Sequence, residues 1–221
     1  FSSWPSITRL LNFKIPTSEE VPLTISDVKH PRFTYALTKM LGESAFLTFG
    51  DKYNLPVTIV RYQNIYGPRM GFNHVIPHLV QRFHLKKENP FKIYGSSQTR
   101  AFCFISDAVI GTVRAMEYSS TDKEIFHIGS QDEITIETLV KKVGFKMGFQ
   151  GEYLESKTYP GSVDRRCPDI TKSSKLLDFK PIISLDHGLS QTIDWYKAFF
   201  EDGKKIFNGG FKPPNQLSYK E

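Results

Sequence analysis

In the run LPVTIVRY, residues 55–62, the β-branched residues Val57, Thr58, Ile59 and Val60 follow one another without polar alternation. A strand with one wet face alternates apolar and polar residues, so this run predicts a strand covered on both faces, as in a parallel α/β sheet. Upstream, Ala36, Met40, Ala45, Phe46 and Phe49 give residues 33–52 the apolar surface of a helix. Downstream, HVIPHLVQRFHLKK reads as a helix with Pro77 in its first turn. FKIYG and RAFCFI read as strands around the turn SSQT, and a helix follows over 106–118, opened by Ser106 or Asp107 as N-cap. EIFHIG predicts another strand, and residues 134–148 repeat Leu139, Val140, Val143 and Met147 at helical spacing. DITKSSKLLDF leads to a last helix over 184–200, with apolar Leu189, Ile193, Tyr196 and Phe200, before a Gly/Pro-rich tail. The stretch 4–33, with prolines at 5, 16, 22 and 31, predicts a long surface loop. No internal repeat or low-complexity tract interrupts this alternation of strands and helices, and the fold class it predicts is α/β.

Composition narrows the function classes. With 39% hydrophobic and 24% charged residues over 221 positions, the chain is that of a globular protein and not of a disordered one. It contains no run of about 18 apolar residues, so no membrane partner is expected, and Phe1 opens no signal-peptide pattern; the expectation is a soluble cytoplasmic protein. Cys103 and Cys167 provide neither a disulfide framework nor a paired metal spacing, so both are expected as buried thiols and no metal site is expected. The net charge of +6 is spread along the chain, which suits small anionic ligands at separate points and not nucleic acid.

Candidate chemistry starts at PRFTYALTKMLGE, where Tyr35 and Lys39 stand four apart and share one face of the expected helix. One reading is structural, with the lysine stem over apolar surface. The other is a proton relay, because an ammonium beside a phenol favours the phenolate and makes tyrosine a general base nearer neutral pH. Such a base suits removal of a hydroxyl proton while a hydride leaves the same carbon, which predicts a nicotinamide cofactor.

Together YALTK, RYQNIYGPRM, FKIYGSSQTRAFCFISDAV and RRCPDITKSSKLLDFKPIISLDHGLSQTIDWY resemble, in order and spacing, the carboxyl-terminal two-thirds of extended short-chain dehydrogenases acting on nucleotide sugars, such as UDP-glucuronate decarboxylases and NDP-sugar epimerases and dehydratases. The resemblance implies a Rossmann-type parallel sheet, here without its amino-terminal half, and a smaller α/β substrate-binding lobe. It implies NAD as cofactor, a nucleotide-diphosphate sugar as ligand, a 4-keto sugar intermediate and a homodimer of the complete protein. Tyr35 matches the base and Lys39 the residue that tunes it and holds the nicotinamide ribose. Tyr62 matches a position near the cofactor, with a core aromatic as the alternative. Asn64, His74 and Val75 match contacts to the sugar diphosphate and nucleotide, and Lys92, Ile93 and Tyr94 a strand beside the base. Arg100, with Arg165 or Arg166, matches the diphosphate clamp. Asp107 is expected to cap a helix.

Two features depart from that family. The glycines at 42, 50, 67, 71 and 95 lack the Gly-x-x-Gly-x-x-Gly spacing that holds a dinucleotide pyrophosphate. In FSSWPSITR the catalytic Ser or Thr position falls on Trp4, so Ser3 or Ser6 has to serve instead, and Pro5 and Ser6 stand where dehydratases carry acids. The expected organisation is a cofactor-side remnant over 1–66 and a nucleotide-sugar lobe over 67–221, with sheet segments returning around 95–135. Two functions stay open: part of an NAD-dependent enzyme, or a catalytically silent nucleotide-sugar-binding or scaffold protein.

Overall fold

The computed structural model describes residues 14–25, 29, 32–118, 123–158 and 162–202. In chain order these contain α1 (Arg32–Tyr53), β1 (Ile59–Tyr62), β2 (Ile65–Tyr66), α2 (Val75–Gln81), β3 (Phe91–Tyr94), β4 (Thr99–Ala101), β5 (Cys103–Phe104) and α3 (Ile105–Glu117). There follow β6 (Ile125–Ile128), β7 (Glu133–Thr135), α4 (Ile136–Lys146), β8 (Tyr153–Ser156), β9 (Arg165–Arg166), α5 (Thr171–Leu176) and α6 (Leu185–Asp202). The α/β class and its parallel pairing agree with expectation: β1 runs parallel to β6, β2 to β5 and β3 to β8. A mixed sheet orders β7-β4-β9.

Helix α1 ends where Asn54 takes a left-handed φ of 52° and the Leu55 amide returns to the Gly50 carbonyl at 2.9 Å. Gly50 permits that return, because a Cβ there would stand 2.6 Å from the Val57 side chain. The chain then enters β1, whose register sets Ile59 opposite Ile125. Both faces of β1 are covered, as its composition predicts. Arg61 reaches Glu43 of α1 on one face, and the Tyr62 hydroxyl meets Thr112 of α3 on the other.

Two apolar clusters hold the elements. The larger joins Ile76, Leu79 and Val80 of α2 to Phe91 and Ile93 of β3, Leu139 and Val143 of α4, and Leu189, Ile193 and Tyr196 of α6. Phe83 stacks on Phe91 within it, their ring centres 3.8 Å apart. The smaller places Cys103, Phe126, Ile128 and Phe179 under Ala108 and Ala115 of α3. Cys103 and Cys167 are buried as expected, and burial pushes both thiols up to about 12.

Several local expectations change. RAFCFI divides into β4 and β5, which pair in different sheets. The helix expected from residue 134 begins at Ile136, after β7, and the Thr135 hydroxyl caps it by accepting the Thr138 amide. The helix at 74–87 is α helical only to Gln81 and continues as a π turn over Arg82–Lys86. Asp107 does not cap α3: it lies in the first turn, buried, where Oδ2 accepts the amides of Ile182 and Ile183 at 3.1 and 3.0 Å. Segment 14–25 is no simple surface loop, because Thr17 bridges to Pro168 and is buried together with Glu19. Backbone pairing to Cys167 and Asp169 draws it inward. Finally, Phe46 and Phe49, expected to serve as apolar packing surface, are 68% and 57% exposed, since α1 meets β1 with another side.

Candidate functional site

A cavity of about 300 Å³ opens among α2, β3, β4 and the segment before β9. Its wall gathers seven of the expected substrate-side residues: Asn64, His74, Val75, Lys92, Ile93, Tyr94 and Arg100. Asn64 stands at the end of β1 with φ 45°, and its amide nitrogen donates to the Ala101 carbonyl at 2.9 Å. The side chain thereby ties the β1–β2 connection to β4 at the cavity wall. The Arg100 guanidinium is spent on backbone carbonyls, donating to Val163 O at 2.6 Å and Thr99 O at 2.6 Å. It ties β4 to the segment leading into β9, and a phosphate would have to take over those donors.

Arg165 is not part of this wall. Its guanidinium makes a paired contact with the Glu133 carboxylate, Nη2 to Oε1 at 2.7 Å and Nε to Oε2 at 2.9 Å. That guanidinium, with a further bond from Thr99 Oγ1, holds the Glu133 carboxyl below the usual carboxylate range. Arg166 does not line the cavity either, and register gives the two arginines different faces. Arg166 is the β9 partner of Arg100 in a parallel pair, so it projects from the same face, whereas Arg165 pairs with Thr99 on the other.

Sequence reasoning missed His78, Arg82 and Gln98, which also line the cavity. His74, His78 and Arg82 fall at i, i+4 and i+8, a basic stripe that helical periodicity reveals once α2 is assigned. Arg82 is buried, pairs with Glu88 at 2.6 Å, donates to Lys92 O at 2.7 Å and lies 4.0 Å over the centre of the Phe91 ring.

A second cleft, of about 410 Å³, lies between α1, β1 and Thr112 of α3. Lys39 lines it, and the Lys39 ammonium stands 5.0 Å from the centre of the Tyr35 ring, with Tyr35 47% exposed. Among the described residues β1 pairs only with β6, so the cleft follows the other edge of β1. Helix α1 is fixed one turn past Lys39, where Glu43 receives Arg61 Nε at 3.0 Å and Nη2 at 2.8 Å. The third Arg61 donor goes to the Glu19 carbonyl at 3.0 Å. Beneath them His127 is 1% exposed, and burial, reinforced by the Arg61 charge, lowers its ring to about 4. The ring is therefore neutral near pH 7, and its 3.9 Å approach to Glu19 is no ion pair there. Tyr62 lines the same cleft with its hydroxyl 2.7 Å from Thr112 Oγ1. Ser3, Ser6 and Trp4 lie outside the described residues.

These residues fit one end of a nicotinamide dinucleotide. Lys39 lines the open cleft and Tyr35 stands exposed beside it, so ammonium and hydroxyl groups suited to a ribose lie together there. No glycine-rich turn of the required spacing occurs in the chain, so a pyrophosphate cradle of that kind is not built from it. Among the described residues no three metal-ligating side chains cluster, and no helix is long and apolar enough to cross a membrane.

Comparison with known proteins agrees with this geometry. Residues 12–129, more than half the chain, match the NAD dependent epimerase/dehydratase family. The chain belongs to that family. The UDP-N-acetyl-alpha-D-glucosaminuronate decarboxylase of Bacillus cytotoxicus is 34% identical over 197 residues, which cover 85% of this chain and 60% of the relative. The UDP-glucuronic acid 4-epimerase of Bacillus cereus, solved with UDP-glucuronic acid and NAD, superposes with a TM-score of 0.76 at 26% identity, over 90% of this chain and 60% of that one. The UDP-glucose 4-epimerase of Thermotoga maritima, solved with UDP-glucose, gives 0.77 at 28% identity, over 90% and 62%. The chain thus spans about 60% of the length of these relatives.

Proposed function

We propose that the chain is the larger part of an NAD-dependent nucleotide-sugar epimerase, decarboxylase or dehydratase that works through a 4-keto sugar. The observation that carries this reading is the convergence of Asn64, His74, Val75, Lys92, Ile93, Tyr94 and Arg100 around one cavity, within a fold whose relatives are named for UDP- and GDP-sugar chemistry. In it, Lys92, Ile93 and Tyr94 border the base, and Asn64, His74, Val75 and Arg100 meet the ribose and diphosphate. Arg166 takes the second arginine role in place of Arg165. Tyr35 removes the proton of the sugar 4-hydroxyl, Lys39 stabilises the phenolate and holds the nicotinamide ribose, and Tyr62 backs the cofactor side. Ser3 or Ser6 supplies the remaining hydroxyl. NAD, when bound, accepts and returns a hydride at the sugar carbon. Cofactor-side and substrate-side units over 1–66 and 67–221, a homodimer and a cytoplasmic setting belong to the same proposal.

The test uses the complete protein. Tyr35→Phe is expected to lower turnover of UDP-glucuronate or UDP-glucose by about 10²–10⁴-fold, the usual share of a general base, with substrate affinity nearly unchanged. Full activity in that variant would remove Tyr35 from the chemistry. A second reading, a catalytically silent nucleotide-sugar-binding protein, is favoured by Trp4 at the hydroxyl position. It is identified by nucleotide-sugar binding without turnover in the unaltered complete protein.

A further inference from the structure

The walls of the 300 Å³ cavity are chemically one-sided. Lys92 and Arg100 face it from β3 and β4, His74, His78 and Arg82 from α2 and the turn that continues it, and among the described residues no carboxylate lines it. Arg82 has its own counter-ion in Glu88. Ile136 and Val140 present the only side chains of α4, both apolar, and α6 joins α2 through the apolar cluster of Leu189, Ile193 and Tyr196. Tyr94 borders the cavity from β3. His78, half-buried in the middle of the basic stripe, thus has cationic and apolar neighbours on the cavity side, and Glu88 beyond Arg82 as the acidic group that acts on it.

We propose that His78 is the proton-accepting contact of this cavity: a nucleoside-diphosphate ligand binds together with a proton taken up by His78, so affinity rises as pH falls. The inference rests on the reading of the cavity as a nucleotide-sugar site. Burial first, then the Arg82 and Lys86 charges, lower His78 from the ordinary histidine range and favour its neutral form, with Glu88 opposing them. A dianionic diphosphate reverses that balance. It brings the anionic oxygens that the wall lacks, and the protonated ring becomes a donor to them. The linkage has a fixed sign. If the ligand raises the histidine, the complex binds more protons than the free protein, and lower pH favours the complex. Each pH unit between the free and bound titrations then changes affinity by up to about tenfold. His187 is exposed on α6, does not line the cavity and is the control for a general histidine effect.

The measurement is calorimetric titration of the full-length protein with UDP-glucose, whose diphosphate diester does not itself titrate near neutral pH. Near pH 6.5, buffers of different ionisation enthalpy are expected to reveal uptake of a fraction of one proton. The dissociation constant is expected to be about three- to tenfold lower near pH 5.5 than near pH 8. His78→Gln abolishes both the uptake and the pH slope, and His187→Gln keeps them. Because a half-buried substitution can disturb folding, the His78 ring resonances are also followed by NMR in the unaltered protein, where ligand is expected to shift their titration to higher pH. Tight binding without proton uptake, a slope that survives His78→Gln, or an unshifted His78 titration overturns the proposal and leaves the site reading intact. Absence of UDP-glucose binding at every pH overturns the site reading, and this inference with it.

Discussion

The side of the molecule around α2, α4 and α6 and the side around α1 and β1 are built from similar residues and reach different outcomes. In the first, Phe83, Phe91, Phe149 and Tyr153 meet ring against ring, with Ile76 and Leu139 fully buried between elements. In the second, Leu41 is 71% and Phe46 68% exposed, and across the sheet Met116 of α3 is 76% exposed. Apolar composition does not separate the two. What differs is whether a second layer of chain stands opposite. A parallel strand covered on both faces is stable when its edges are paired as well, and β1 has one described partner.

The largest effect expected from this contrast is on the chain by itself. Expressed as these 221 residues, it is expected to self-associate, because Leu41, Phe46 and Phe49 of α1 are exposed beside β1, and to bind NAD weakly, because it contains no glycine-rich pyrophosphate turn. Sedimentation giving a monomer with a cooperative melt and micromolar NAD affinity would break the contrast. Next comes the clamp under α1. Arg61→Ala leaves the Glu43 carboxylate, only 10% exposed, without its partner and is expected to cost up to about 3–5 kcal/mol in denaturant unfolding, with Arg61→Met/Glu43→Leu recovering most of it. Equal stability of the single variant and the parent would show that α1 is held by other contacts.

Acid should act on the same side. The His127 ring is lowered in the folded state, so the unfolded chain binds more protons below the ordinary histidine range. Its contribution is full above about pH 6.5 and is lost toward pH 4, by about 1.4 kcal/mol per unit at most. Burial raises Glu19, which favours the folded state as pH falls and offsets part of this. Urea midpoints between about pH 7 and 4.5 are expected to fall less steeply in His127→Gln than in the parent; identical slopes would exclude His127 as the source. The smallest effects come from two helical glycines. A Cβ at Gly188 would collide with the ring and hydroxyl of buried Tyr66, so Gly188→Ala is expected to cost about 1–3 kcal/mol. Gly42, beside the open cleft, has nothing within 4 Å of a Cβ, and Gly42→Ala is expected to stabilise the chain by about 0.5–1 kcal/mol. Thermal melts that reverse this order would mean the cleft beside β1 is filled.

Much of the framework was legible because period and burial agree. The Val57–Val60 run and the helical repeats of α4 and α6 place their elements within a few residues. Two-residue strands such as β2 and β9 carry no periodic signal, and their pairing partners lie far along the chain, at 103–104 and 99–100. Glu19 and Asp107 escaped for a related reason: a carboxylate buried by amides 108 and 75 positions away looks, in sequence, like a surface acid or a cap. Family resemblance located residues around the cavity, but not which of Arg165 and Arg166 shares a face with Arg100, which the β4–β9 register gives. His78 needed a boundary for α2 before its spacing from His74 had meaning.

The Asp107 carboxylate has a further consequence, one of timing. It receives Ile182 and Ile183 just ahead of α6, the helix that seals the larger apolar cluster. On the ribosome α3 emerges with that carboxylate already in its first turn, and its two partners are still 75 residues short of synthesis. At about 5–20 residues per second the acid waits roughly 4–15 seconds, hydrated, before it can be buried. Leu139, Val143 and Phe91 wait longer, until α6 itself has emerged. Translation therefore opens an interval in which these apolar side chains lack their cover, and the Asp107 carboxyl receives its partners just before the covering helix arrives.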